Sequence, residues 1–119
     1  MKTFHLITSD HILAENLTRY LKKFIKNPTI RHFSDAISAV SALEKEIPDL
    51  IFLDFLLDGP DGFTYLNEIA SYSDTNSVPV VLISSLYHRL PKMSSYGVIA
   101  YLDKSTFTPD DIKELVHGS

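Results

Sequence analysis

Asp54 closes the apolar run Leu50-Ile51-Phe52-Leu53 and is followed closely by the turn cluster Asp58-Gly59-Pro60-Asp61-Gly62. A carboxylate at the end of so apolar a stretch needs a reason. Three other apolar runs end in a similar way: Phe4-His5-Leu6-Ile7-Thr8 before Ser9-Asp10, Val78-Pro79-Val80-Val81-Leu82-Ile83 before Ser84-Ser85, and Val98-Ile99-Ala100-Tyr101-Leu102 before Asp103-Lys104. If these runs are strands of one sheet, Asp10, Asp54, Ser84 and Lys104 meet at one edge. Close carboxylates repel, and a hard divalent cation such as Mg²⁺, which takes oxygen ligands and keeps several waters, relieves the repulsion. With that cation and Lys104 offsetting charge on a transferring phosphoryl group, and Ser84 donating to one of its oxygens, Asp54 could attack as nucleophile and form an aspartyl phosphate. Taken singly, each residue has a plainer reading: Asp10 a helix cap, Lys104 a solvated side chain, Ser84-Ser85 a turn. Their recurrence at four strand ends favours the joint reading.

The elements that must position these groups follow from the spacing of apolar residues. Leu50 to Leu53 is too short and too uniformly apolar for an amphipathic helix, and Pro48 and Gly59-Pro60 bracket it, so it predicts a buried strand of parallel type. Leu13, Leu17, Tyr20, Leu21 and Phe24 recur at helical spacing, and Asn27-Pro28 stops that helix. Thr29 to Phe33 reads as a partly polar edge strand. Asp35 offers an N-cap to a helix with Ala36, Ile37, Val40 and Leu43 on one face. A third helix carries Phe63, Leu66, Ile69 and Ala70. Pro91 restricts the next helix to a turn or two ending at Gly97, and a last helix begins at Thr108-Pro109-Asp110-Asp111, docked by Ile112, Leu115 and Val116. Strand and helix alternate throughout, which predicts a single α/β domain over residues 1–119. Its core is a doubly wound, five-stranded parallel sheet with helices on both faces. In such sheets ligands bind at the carboxyl ends of the strands.

Composition narrows the function classes. At 119 residues and 45% hydrophobic the chain suits one core, burying roughly two-thirds of its unfolded surface. No apolar run approaches the roughly 20 residues that cross a bilayer, and Met1 to His5 lacks the long apolar segment of a secretory signal, so the expectation is a cytoplasmic protein without membrane contact. There is no cysteine for a disulfide or a thiolate metal site. A net charge of −4 argues against direct binding of nucleic acid. Arg19, Lys22, Lys23 and Lys26 cluster on the first helix and read as its solvated face. The five histidines show no paired metal-ligand spacing.

Over nearly its whole length the sequence resembles the receiver domain of two-component response regulators. The resemblance rests on Pro48-Asp49-Leu50-Ile51-Phe52-Leu53-Asp54 with Asp61-Gly62-Phe63, on Val78 to Ser85, and on Ala100-Tyr101-Leu102-Asp103-Lys104. It implies that Asp54 is the phosphorylation site, Asp10 a direct Mg²⁺ ligand and the Leu56 backbone carbonyl another, with Ser84 and Tyr101 forming the switch pair. It also implies a histidine kinase or histidine phosphotransfer protein as donor, a downstream effector protein or domain as recipient, and no enzymatic activity beyond self-catalysed acceptance and loss of phosphoryl. Three departures stand out: Ser9-Asp10 where the family has two adjacent acids, Ser105 where a proline commonly follows the lysine, and a shortened fourth helix. Loss of one acid is expected to weaken metal binding rather than abolish it. Leu56 and Leu86 stand where the family flanks the path of hydrolytic water, and neither can hydrogen-bond it, so slow autodephosphorylation is expected. The departures also motivate a second reading, a pseudo-receiver that binds partners without phosphate. A flavodoxin-like small-molecule binder is disfavoured, because no Ser/Thr/Gly-rich phosphate loop follows the first strand.

Overall fold

The computed structural model describes residues 2–55, 62–85 and 96–117, with backbone alone at Gly62 and Phe63. Five strands, β1 (Thr3–Ile7), β2 (Thr29–Phe33), β3 (Leu50–Asp54), β4 (Val80–Ser84) and β5 (Val98–Asp103), form one sheet in the order β2-β1-β3-β4-β5. Every pairing is parallel. Among the described residues the helices are α1 (His11–Phe24), α2 (Ala36–Leu43), α3 (Gly62–Ser71) and α4 (Pro109–His117).

Successive side chains of a strand point to opposite faces, and both faces of this sheet are covered. On one face Phe4, Leu6, Leu50, Phe52, Val81 and Ile83 pack under Leu13, Leu17 and Leu21 of α1 and Ile112 and Val116 of α4. On the other, Ile7, Ile51, Leu53, Val80 and Leu82 pack under Ala36, Ala39 and Leu43 of α2 and Tyr65, Leu66 and Ile69 of α3. Strands β3 and β4 have neighbours on both sides and are buried at every position, which is why their sequences lack a polar alternation. Strand β2 lies at the edge and exposes Arg31 and His32.

The helix ends follow their local chemistry. Asp10 Oδ1 accepts from the N–H groups of Ile12 (3.0 Å) and Leu13 (3.1 Å), and Asp35 Oδ1 accepts from Ser38 N–H at 2.7 Å. At α4 the Thr108 N–H donates to Asp111 Oδ2 (2.8 Å) while Asp111 N–H donates to Thr108 Oγ1 (3.3 Å), a reciprocal capping box ahead of Pro109 in the first turn. His117 Nε2 donates to the Phe24 carbonyl at 2.8 Å and ties the last turn of α4 to the last turn of α1. Gly97 has φ +82°, and a Cβ there would lie 3.0 Å from the Val78 carbonyl, so the turn into β5 requires glycine.

The core face of α2 corrects one expectation. Ile37 is 64% exposed, and Ala39 completes the buried stripe with Ala36 and Leu43. Ile37 lies one residue, about 100°, round the helix from Ala36, which carries it off the contact face. Strand boundaries also shift: β1 ends at Ile7 rather than Thr8, and β4 begins at Val80 because Val78 N–H bonds to Thr75 at the end of the preceding loop. The short helix expected to start at Pro91 lies outside the described residues.

Two buried polar groups set testable stability effects. Tyr65 is fully buried and its hydroxyl has no hydrogen-bond partner among the described residues; burial pushes its pKa well above the usual phenol value. An unsatisfied buried hydroxyl is unfavourable, so Tyr65→Phe should be neutral or stabilising by up to about 1 kcal/mol in urea unfolding. A loss of stability would show that the hydroxyl is satisfied.

His5, on β1, is also fully buried; its Nε2 lies 3.1 Å from Glu46 Oε1, which Arg31 Nε also approaches at 3.2 Å. Burial lowers the His5 pKa against the opposing pull of Glu46. A histidine lowered in the fold is protonated more readily when unfolded. Its contribution to stability is therefore complete above the unfolded value of about 6.5 and is lost as pH falls through the lower, folded value. The urea midpoint should drop between about pH 7.5 and 5.5, and His5→Leu should flatten that slope. An equal slope in the variant would assign the acid sensitivity to other groups.

Candidate functional site

The sheet register brings the strand ends together. Ile7 pairs with Leu53, Asp54 with Ile83, and Ser84 with Asp103, so the residues ending β1, β3, β4 and β5 line one edge. Two backbone bonds carry the pairing past the strands: Phe55 N–H to the Ile83 carbonyl (3.0 Å) and Lys104 N–H to the Ser84 carbonyl (3.1 Å).

Asp54 is 3% exposed. Lys104 Nζ lies 3.1 Å from Asp54 Oδ2 and 3.3 Å from Asp10 Oδ2, so a single ammonium bridges both carboxylates. Asp10 thus divides its carboxylate: Oδ1 caps α1, as expected, and Oδ2 faces Lys104. The Leu13 N–H does most to hold the Asp10 carboxyl below its usual range, with Lys104 and the Ile12 N–H assisting against desolvation. Partial burial pulls the Lys104 ammonium down, but the bonds and charges of Asp54 and Asp10 outweigh it, and the net push is upward. Lys104 stays charged throughout the physiological range.

The donor set here, carboxylate oxygens from two strand ends, is the hard-oxygen chemistry that suits Mg²⁺. Among the described residues no group of three acidic or histidine side chains converges to hold a metal. A cation would take Asp10 and Asp54 and complete its shell with water; the Leu56 carbonyl, expected as a further ligand, lies outside the described residues, as do Asp61 and Leu86.

Ser84 is buried at the end of β4, one residue past Ile83, the register partner of Asp54. Tyr101 pairs with Leu82 and is half-buried against the cluster under α2 and α3. Ser84 and Tyr101 therefore share a face of the sheet, two residues apart along neighbouring strands.

One residue of the site escaped the sequence reading. Thr8 is 1% exposed, and its Oγ1 donates to Asp54 Oδ2 at 2.8 Å, the oxygen that Lys104 also holds. The available signal was a hydroxyl ending an apolar run at the same edge as Asp54, but a β-branched threonine there reads as one more strand residue. Ser105, the replacement for proline, donates to Asp103 Oδ1 from both its N–H (2.9 Å) and its hydroxyl (2.7 Å).

Two carboxylates, a lysine and a buried serine thus gather at the carboxyl edge of a doubly wound parallel α/β sheet. Residues 5–117 match the response regulator receiver domain family, and the chain belongs to that family. Transcription factor SKN7 of Saccharomyces cerevisiae is 28% identical over 119 residues, covering 97% of this chain and 18% of that protein. The regulatory protein VanRc of Enterococcus gallinarum is 28% identical over 109 residues, covering 90% of this chain and 45% of that protein. The chain thus spans less than half the length of either relative. The crystal structure of the response regulator TrrA from Thermotoga maritima in complex with Mg²⁺-BeF superposes with a TM-score of 0.81 at 22% identity, covering 99% of this chain and 98% of that one, and shows the shared fold. No helix among the described residues is long and apolar enough to cross a membrane.

Proposed function

We propose that this domain is the phosphoacceptor switch of a two-component His-Asp phosphorelay, with Mg²⁺-dependent phosphorylation of Asp54 altering partner binding. The observation that carries the reading is the buried Asp54 carboxylate at the end of the central strand, with Lys104 bridging it to Asp10. A carboxylate oxygen of Asp54 forms the new O–P bond as the donor's P–N or P–O bond breaks, and the donor group leaves with that bond's electron pair. Asp54 and Asp10 would hold the cation, which supplies charge neutralisation to the transferring phosphoryl group. Lys104 can turn from the carboxylates to a phosphoryl oxygen, and Ser84 donates to another. Burial keeps the acceptor away from competing water.

Donors would be a histidine kinase or a histidine phosphotransfer protein, and the recipient a downstream effector protein or domain; neither nucleic acid nor membrane is a direct partner of this domain, and the setting is cytoplasmic. Ser84 and Tyr101 lie on one face and would move as a pair when charge is added at Asp54, shifting the population between two packings. The Mg²⁺-BeF complex of TrrA supports the choice of cation. Incubation with Mg²⁺ and a small phosphodonor should add one phosphoryl mass that Asp54→Asn removes. Ser9 in place of an acid and Ser105 in place of a proline motivate the alternative, a phosphate-independent pseudo-receiver. Wild type left unmodified at saturating donor and Mg²⁺ would establish it in place of the phosphoacceptor.

A further inference from the structure

Every polar atom of Thr8 is engaged. Its N–H donates to the Phe33 carbonyl at 2.9 Å, and its own carbonyl accepts from His32 Nε2 at 2.8 Å. Its Oγ1 accepts the Asp10 N–H at 3.0 Å and donates to Asp54 Oδ2 at 2.8 Å. Since a backbone N–H can only donate, the hydroxyl proton is directed at the carboxylate. The backbone is pinned on both sides and the side chain is 1% exposed, so this donor is held on the Asp54 carboxylate. Lys104 differs, because its flexible ammonium already serves two carboxylates and can follow a phosphoryl group.

On this basis, and resting on the phosphoacceptor reading above, we propose that Thr8 is a positioning residue that biases phosphoryl transfer at Asp54 toward the free carboxylate. When Asp54 becomes an acyl phosphate, one of its oxygens joins phosphorus and the other becomes a neutral carbonyl oxygen. The Thr8 hydroxyl then faces an uncharged acceptor in place of a carboxylate. Hydrogen bonds to an ionised acceptor are roughly twice as strong as neutral ones, so the fixed donor stabilises the unmodified state more than the modified one, by about fivefold to tenfold in the equilibrium. The same donor stabilises the carboxylate as it departs from phosphorus, whether the phosphoryl goes to water or to an acceptor imidazole. Thr8 thus raises the tendency of the domain to hand its phosphoryl group on.

The test uses wild type, Thr8→Val and Thr8→Ser with phosphoramidate at saturating Mg²⁺. Intact mass follows the rate of modification and the steady phosphorylated fraction, and then the rate of loss once donor is removed. Thr8→Val should lose phosphoryl about fivefold more slowly, reach a higher phosphorylated fraction and be modified no more slowly than wild type, while Thr8→Ser should restore wild-type behaviour. A merely structural role would slow modification and loss together. Thermal melting checks the fold, and Thr8→Ala stands in for Thr8→Val if the valine variant does not fold. A wild-type loss rate in the hydroxyl-free variant, or a serine variant that behaves like it, overturns the proposal and leaves the phosphoacceptor reading intact. Wild type that accepts no phosphoryl overturns both.

Discussion

Lys104→Met is expected to slow phosphorylation of Asp54 by about a hundredfold or more at saturating Mg²⁺, and at the same time to tighten metal binding. The first effect follows from removing a positioned positive charge from a buried site where negative charge accumulates during transfer; losing one such donor typically costs about 10²–10³ in rate. The second follows from geometry. The ammonium sits 3.1 Å and 3.3 Å from the two carboxylate oxygens that a cation would need, so Lys104 and the metal compete for the same electrostatic stabilisation. With methionine there, Asp10 and Asp54 lose their shared counter-ion and repel until a divalent cation arrives. Mg²⁺ titration followed by amide shifts, together with phosphorylation rates, separates the two effects. If affinity falls along with rate, Lys104 holds the carboxylates in their binding geometry rather than competing for them.

Phe52→Ala should be the most destabilising of simple core truncations, by about 3–5 kcal/mol. Phe52 is 1% exposed on the central strand, beneath the face that α1 and α4 cover, and its neighbours come from separate elements that cannot all close on the void. Domains of this kind are typically stable by about 5–15 kcal/mol, so the variant should be partly unfolded under mild conditions. Ile37→Ala, at a position 64% exposed, should change stability by no more than about 0.5 kcal/mol. Urea unfolding of both variants checks the contrast, and comparable losses would place Ile37 in the core after all.

The sheet was legible because a strand covered on both faces leaves an uninterrupted apolar run, and Leu50–Leu53 and Val80–Ile83 are such runs. The convergence of Asp10, Asp54 and Lys104 was legible for the same reason: each ends or follows a strand, and parallel strands end at one edge. The two separate tasks of Asp10 were not, since one residue letter cannot show its carboxylate oxygens turning to different partners. Thr8 was hidden by its own strand propensity. Ile37 was misplaced because α2 has only eight residues, and two turns leave a helical face ambiguous by one position. The His5, Glu46 and Arg31 cluster spans three segments far apart in sequence, and only the crossover geometry brings it together. The roles of Leu56 and Tyr101 came from the resemblance, since no spacing in the sequence singles out a backbone carbonyl or a strand tyrosine.

The strand order also sets how the molecule opens. With no hairpin in a wholly parallel sheet, each strand pairing requires closing a long loop, and the central strand can be released only after its neighbours on both sides have gone. Amide protons of Ile51, Phe52 and Leu53 should therefore exchange only through global unfolding, whereas those of the outer strand β5, with partners on one side, can exchange through local opening at lower free energy. Asp54 ends the strand expected to exchange slowest, and Lys104 directly follows the one expected to fray. A transient loss of the β5 edge would withdraw the ammonium while the acceptor carboxylate stays in register, so solvent entry at this edge is governed by local rather than global stability.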